Sequence, residues 1–473
     1  MNPYDLVVIG SGPAGQRAAV QAAKLGKHVA VVERRRDVGG VCINTGTIPS
    51  KTMREAVLDL SGLRQRALYG DEFQPSSVSV EALLQRTGVV MRREREVVRA
   101  QLGRNGIELL DGDGYLESPT RVRVSGTGGT RSLETRFIAI AVGTTPGVPP
   151  GIDVDHDGVL TSDDILDLKK LPRTMAAVGA GVIGIEYATM FAALGVEVTL
   201  LDMRETLLDM VDREIVEALT SQARDLGVTL RLGEMVARIE HSAGQQIVTL
   251  KSGKRFATEM VMVSAGRQGA TDGLGLENAE LEADPRGRLE VNQHYQTKVP
   301  SIYAVGDVIG FPALASTSME QGRLASCHMF GVPTHSVPEL FPYGIYAIPE
   351  IAWVGASEHE LTKQSVPYET GVARYREIAR GQILGDHHGM LKLIVHIETR
   401  KILGVWCLGT QATELVHIGQ AVMALGGTLE YFIDSVFNYP TLAECYKVAA
   451  LDGYNKLRVL GAAPTAAAAA PGA

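Results

Sequence analysis

Two segments of the sequence carry glycines and one carboxylate at the spacing that holds a dinucleotide. YDLVVIGSGPAGQRAAVQAAKLGKHVAVVE starts at Tyr4, and RTMAAVGAGVIGIEYATMFAALGVEVTLLD starts at Arg173. In register, Gly10, Gly12 and Gly15 match Gly179, Gly181 and Gly184, and Glu33 matches Asp202. Each acid lies 23 positions after the first glycine of its copy. The first glycine makes a tight turn, the second lets backbone approach a pyrophosphate, and the third lets helix and strand pack closely. A helix opening at these glycines offers free N–H groups and the positive end of its dipole to phosphate. The carboxylate then accepts hydrogen bonds from a ribose. Glu33 and Asp202 are therefore read as ribose acceptors. Two full copies imply two dinucleotides, or two halves of one redox relay.

The elements that position these residues follow from the pattern. Each copy reads as an apolar strand, a glycine turn, an alanine-rich helix, a glycine stop and a second β-branched strand. This is a βαβ unit with parallel strands. Residues 52–110 show helical apolar spacing. FIAIAVGTTPGVPP (137–150) reads as a buried strand ending in a Gly/Pro turn. SIYAVGDVIG (301–310) reads as a short strand with Asp307 at its C-terminal end, the edge where open α/β sheets bind ligands. From about residue 341 the strands KLIVHIE and ILGVWCLG and the helix TELVHIGQAVMAL predict an α+β domain without a glycine fingerprint. The tail 461–473 is low in complexity and expected to be disordered.

Composition narrows the classes. A chain of 473 residues exceeds what one hydrophobic core supports, so two or three domains are expected. The net charge of −8 argues against nucleic acid or an anionic membrane as a partner. Four scattered cysteines exclude a disulfide scaffold and have no zinc-finger spacing, and no metal site is expected. The apolar run Leu6–Ile9 is broken at Gly10, too short for a signal peptide or a membrane span, which predicts a soluble, cytoplasmic protein.

GGVCINTGTIPSK (39–51), the two fingerprints, AVGTTP (141–146) and YAVGD (303–307) together resemble the pyridine nucleotide–disulfide oxidoreductase family. The resemblance runs from residue 4 to about 458. It implies an α/β fold with two Rossmann-like dinucleotide-binding domains and a C-terminal α+β dimerisation domain. The implied boundaries are an FAD-binding domain at 1–150, an NAD(P)-binding domain at 151–270, a return to the FAD-binding domain at 271–340 and the dimerisation domain at 341–460. A homodimer or larger homo-oligomer is the corresponding assembly. By the same resemblance, Gly10, Gly12, Gly15, Glu33, Gly40, Cys42, Thr47, Lys51, Gly114, Thr144 and Asp307 hold FAD. Gly179, Gly181, Gly184, Glu186, Asp202, Arg204 and Gly266 hold the nicotinamide dinucleotide, with Arg267 beside Gly266. Lys51 and its carboxylate partner Glu186 are the implied catalytic charges beside the flavin.

Two departures from the family decide the expected reaction. Disulfide members have a second cysteine five positions after the first, and here that position is Thr47. A hydroxyl cannot form a disulfide or pass electrons as a thiolate. Disulfide members also place a histidine before proline near the C-terminus, and here NYPTLAE puts Tyr439 there, with Glu444 after it. A tyrosine of ordinary pKa near ~10 is a poor base at neutral pH. The resemblance then implies an enzyme in which FAD exchanges hydride between NADPH and NAD+ by a ping-pong route with no redox disulfide. A quinone- or dye-reducing diaphorase on the same scaffold and a non-enzymatic flavoprotein are the alternatives. Binding both NAD(H) and NADP(H) requires a partner for the 2′-phosphate, and Arg204, two residues after Asp202, is the candidate. Cys42 is read as a small apolar neighbour of the flavin, with a reactive thiol or a bridge to Cys445 of the partner subunit as alternatives. Tyr439 is expected at the dimer interface.

Overall fold

The computed structural model describes residues 3–63, 68, 78–334 and 340–459, so the tail expected to be disordered lies outside the described residues. The chain divides into two compact units. The first contains residues 3–57, 78–172 and 236–334, and the second contains 58–63, 68, 173–235 and 340–459.

The first unit is built on a mixed sheet. Strand Tyr4–Ile9 runs parallel between Val29–Glu33 and the long strand Gly129–Ile140, which also pairs in parallel with Ile302–Ala304. The N-terminal half of Gly129–Ile140 pairs antiparallel with Arg121–Gly126, itself paired with Asp113–Ser118. The central strands are apolar on both faces, as a parallel sheet covered on both sides requires. One face is covered by helix Pro13–Lys24, whose Ala14, Ala18, Ala19 and Ala22 are buried. Alanines keep this helix thin, and Gly322 of helix Ala315–Met329 meets it so closely that a Cβ there would lie 2.1 Å from the Ala14 carbonyl oxygen.

The region expected to be helical over 52–110 contains helices Thr47–Leu60 and Val80–Arg104, the latter capped by the Ser79 side chain. Residues 64–67 and 69–77 of it lie outside the described residues. Its end differs from expectation. Gly106 takes φ +66° and stops the helix, and Glu108–Asp111 becomes an edge strand parallel to Val29–Glu33. Helical apolar spacing does not register that an edge position of the sheet is open to this segment.

The second unit holds the second βαβ copy. Strands Thr174–Val178, Glu197–Asp202 and Thr229–Leu232 are parallel, with helix Val182–Ala193 crossing between the first two. Its C-terminal part is an antiparallel sheet in the spatial order Tyr343–Ile345, Ile351–Gly355, Ile402–Leu408, Met390–His396, Tyr368–Arg374. Helices Ala412–Ala424 and Glu444–Val459 pack on that sheet around a buried cluster that includes Val405, Cys407, Cys445 and Tyr446. The whole is the α/β fold with two Rossmann-like parts and an α+β C-terminal part that the sequence predicts. Among the described residues, no helix is long and apolar enough to cross a membrane.

Candidate active site

The first fingerprint opens onto a groove of about 410 Å³ in the first unit. Gly10 takes φ +105°, and a Cβ there would lie 2.3 Å from the Ala141 carbonyl oxygen, so only glycine makes this turn. Gly12 has ordinary backbone angles and open space around it, with only the Gly40 Cα at 4.0 Å from a Cβ. Gly12 and Gly40 therefore face each other as bare backbone at the groove. Helix Pro13–Lys24 begins there with no side-chain cap and no acidic residue in its first turn. Its unpaired N–H groups and dipole make this an anion site.

Glu33 sits behind the turn. One carboxylate oxygen accepts from the Ser11 backbone N–H at 3.0 Å and the Ser11 hydroxyl at 2.6 Å, and the other accepts from the Arg35 N–H at 3.0 Å. Gly39 N–H donates to the same Ser11 hydroxyl at 2.9 Å. Ser11 thus ties the fingerprint to Glu33 and to the Gly39–Gly40 turn. Sequence reasoning passed over it as an unspecified position between two glycines, although a hydroxyl there, ahead of a strand-end acid, is the available signal.

Gly10, Gly12, Glu33, Gly40, Cys42, Thr47, Gly114, Thr144 and Asp307 all line this groove. Gly15 and Lys51 do not line it. Gly15 lies beneath it, where a Cβ would meet the Gly10 carbonyl oxygen at 2.0 Å. Arg267 clamps one wall, with Nε donating to the Thr144 hydroxyl at 2.8 Å and Nη2 to the Thr144 carbonyl at 2.9 Å. Gly266 takes φ +106° beside it, and its carbonyl accepts from Gly147 N–H, away from the groove lining. Burial pushes the Asp307 carboxyl up, against the opposing pull of Arg267 and of the Ser318 hydroxyl.

Cys42 and Thr47 line the same groove. Burial raises the Cys42 pKa above the ordinary thiol value, and Asp307 and Glu94 add to the rise, while Thr47 and Lys51 pull it down. The group is therefore a thiol at neutral pH, a weak nucleophile. All four cysteines are free, and Cys445 is fully buried, with burial first among the causes that push its thiol up to about 12. Cys42→Ser is expected to keep activity within about twofold, and Cys42 to alkylate with iodoacetamide at least about tenfold more slowly than free cysteine at pH 7.5. Mass spectrometry of the labelled peptide checks the second outcome.

The second fingerprint repeats the turn with a different acid environment. Gly179 takes φ +105°, and helix Val182–Ala193 starts at Gly181 with neither cap nor acid in its first turn. Gly184 is buried in that helix. Ala180 stands where Ser11 stands in the first copy and offers only its N–H, to Asp202 at 2.7 Å. Arg204 supplies the rest, with its backbone N–H at 2.9 Å, Nε at 3.0 Å and Nη2 at 2.9 Å from the Asp202 oxygens. Burial pushes the Asp202 carboxyl up, but these donors outweigh it and hold it below the ordinary value. That stabilisation is present above the unfolded carboxyl pKa near ~3.9 and is lost as pH falls through the lower folded value. Glu186 is buried, and its Oε1 accepts from Tyr346 N–H at 2.8 Å. In the C-terminal part, Tyr439 is 68% exposed.

Residues 4–322 match the family model described as pyridine nucleotide-disulphide oxidoreductase, and residues 341–450 match its dimerisation domain. The chain belongs to this family. It is 57% identical over 463 residues to the soluble pyridine nucleotide transhydrogenase of Mycobacterium tuberculosis (strain ATCC 25177 / H37Ra), covering 97% of this chain and 99% of that one. A protein of the same name from Hahella chejuensis (strain KCTC 2396) is 44% identical over 458 residues, covering 96% and 99%. The solved structure of the HOCl-induced flavoprotein disulfide reductase RclA from Escherichia coli aligns with a TM-score of 0.87 at 28% identity, covering 95% of this chain and 99% of that one.

FAD is the cofactor of this chain, and the groove fits it. The glycine backbones leave the helix N-terminus open to a pyrophosphate, and Glu33 stands at the end of strand Val29–Glu33 for a ribose. What the groove lacks is the family's second thiol, because Thr47 holds that place.

Proposed function

We propose that this chain is an NAD(P)+ transhydrogenase, moving hydride between NADPH and NAD+ in a ping-pong sequence. One observation carries the reading: two nucleotide fingerprints are present, while the thiol pair is reduced to Cys42 and Thr47, with the Cys42 thiol held protonated by burial. FAD held by these residues would supply two-electron hydride chemistry. The chain's own residues bind, orient and exclude. Gly10, Gly12 and the N-terminus of Pro13–Lys24 take the FAD pyrophosphate, and Glu33 takes its ribose. Gly179, Gly181 and the N-terminus of Val182–Ala193 take the pyrophosphate of each nicotinamide substrate in turn. Lys51 is the fixed cation for the negative charge of the reduced state, and Glu186 is the second catalytic charge. The match to a dimerisation domain supports a homodimer or higher homo-oligomer as the working form, and Tyr439 is assigned to its interface and the enzyme to the cytoplasm.

Steady-state turnover tests this. With NADPH as donor, kcat/KM for thio-NAD+ is expected to exceed that for a quinone by at least about tenfold, and dihydrolipoamide oxidation is expected to be absent. Substantial lipoamide turnover is the contrary outcome.

A further inference from the structure

Arg204 lies between two carboxylates. Asp202 already accepts four hydrogen bonds, from Ala180 N–H, Arg204 N–H, Nε and Nη2. An ionised carboxylate has about four lone-pair positions, so Asp202 is saturated and has none left for a ribose hydroxyl. On the other side, Arg204 Nη1 lies 3.5 Å from Asp209 Oδ2. The other Asp209 oxygen accepts from the Thr206 hydroxyl at 2.5 Å, which fixes the carboxylate's position. The guanidinium has two forks. Its side fork, Nε and Nη2, is on Asp202, and Nη1 of its end fork is turned to Asp209. Arg204 is 39% and Asp209 53% exposed, so both are open to a ligand.

Building on the transhydrogenase reading, we propose that Asp209 is a specificity-determining residue that sets the balance between NAD(H) and NADP(H) by competing for Arg204. With NADP(H), Arg204 stays on Asp202 and neutralises it, while the 2′-phosphate displaces Asp209 from the end fork. With NAD(H), the ribose hydroxyls take Asp202, and the displaced guanidinium is held by Asp209. Asp209 thus opposes one substrate and assists the other. In the first fingerprint Glu33 accepts from the Ser11 N–H and hydroxyl, while Arg35, the residue at the equivalent position, offers it only a backbone N–H, so no guanidinium is among its hydrogen-bond donors.

The test is calorimetric binding of NADP+ and NAD+ to the oxidised holoenzyme, which requires no turnover. An exposed ion pair changes affinity by about two- to fivefold. In Asp209→Asn, NADP+ is expected to bind about threefold more tightly and NAD+ about twofold more weakly. In Arg204→Ala, loss of a charged hydrogen-bonding partner is expected to weaken NADP+ about 10- to 100-fold, while NAD+ binds at least as well as to the wild type. FAD absorbance and melting temperature confirm that both variants are folded. An Asp209→Asn protein whose NADP+/NAD+ ratio is unchanged, or moves toward NAD+, overturns the proposal. A wild-type protein that binds neither nucleotide overturns the functional reading itself.

Discussion

A single methyl group at Gly15 is expected to cost the first unit about 3 kcal/mol and most of its bound FAD. The Cβ of Gly15→Ala would lie 2.0 Å from the Gly10 carbonyl oxygen and 3.1 Å from Val8 Cγ1. Backbone stands against it, so no side chain can turn aside. Helix Pro13–Lys24 would have to lift off strand Tyr4–Ile9, and the buried Ala14, Ala18 and Ala22 would lose their contacts with it. Gly12→Ala is the control, because its Cβ meets nothing nearer than the Gly40 Cα at 4.0 Å and its φ of −66° suits alanine. That variant is expected to melt like wild-type apoprotein but to bind FAD about tenfold or more weakly, since the methyl projects into the groove. Urea unfolding with FAD titration separates the two. Equal losses of stability in both apoproteins would contradict the assignment of Gly15 to packing and Gly12 to the ligand.

The second large effect lies at Lys392, on strand Met390–His396. Its ammonium is fully buried among Asp212, Glu214 and Glu358, at 2.8 Å from Asp212, at 3.1 Å from Glu214 and in close contact with Glu358. Burial disfavours the ammonium, but Asp212 and Glu358 outweigh that and raise its pKa above the ordinary lysine value. The sign follows directly: the contribution is complete below the unfolded lysine pKa near ~10.4 and is lost only as pH rises through the higher folded value. Lys392→Met is expected to destabilise the second unit by about 3–5 kcal/mol at neutral pH, because it leaves a buried charge unpaired. Asp212, at 2% exposure, carries most of that cost, whereas Glu214 and Glu358 are over a third exposed and partly screened. Asp212 also caps helix Arg213–Asp225 through Glu214 N–H, so the loss reaches the second fingerprint's neighbouring helix. Adding Asp212→Asn to Lys392→Met should recover part of the stability in urea. A Lys392→Met protein within about 1 kcal/mol of wild type would show that the network is not needed.

What could be read from the sequence and what could not divide along physical lines. Gly15 was legible because a steric demand within one βαβ unit dictates glycine there, and Gly10 and Gly179 because the turn of that unit takes a positive φ. Glu33 and Asp202 were legible for the same reason, at a fixed distance along a local motif. The state of Asp202 was not. Its saturation depends on the Arg204 rotamer and on Ala180 replacing the serine of the first copy. Asp209 reaches Arg204 only through a turn with no repeating pattern. The Lys392 network joins residues up to 180 positions apart, and an isolated lysine in KLIVHIE looks like an ordinary strand residue. Residues 108–110 fall inside the stretch with helical spacing yet form strand, because pairing at a sheet edge is a tertiary fact.

The central claim is that two electrons enter the flavin and leave it without a dithiol. Anaerobic titration of the holoenzyme with NADPH tests it most directly. The visible absorption of oxidised flavin is predicted to disappear with one equivalent of NADPH per FAD and to return in full when NAD+ is added. Consumption of a second equivalent before the endpoint, or a bleached flavin that NAD+ does not reoxidise, would contradict the account.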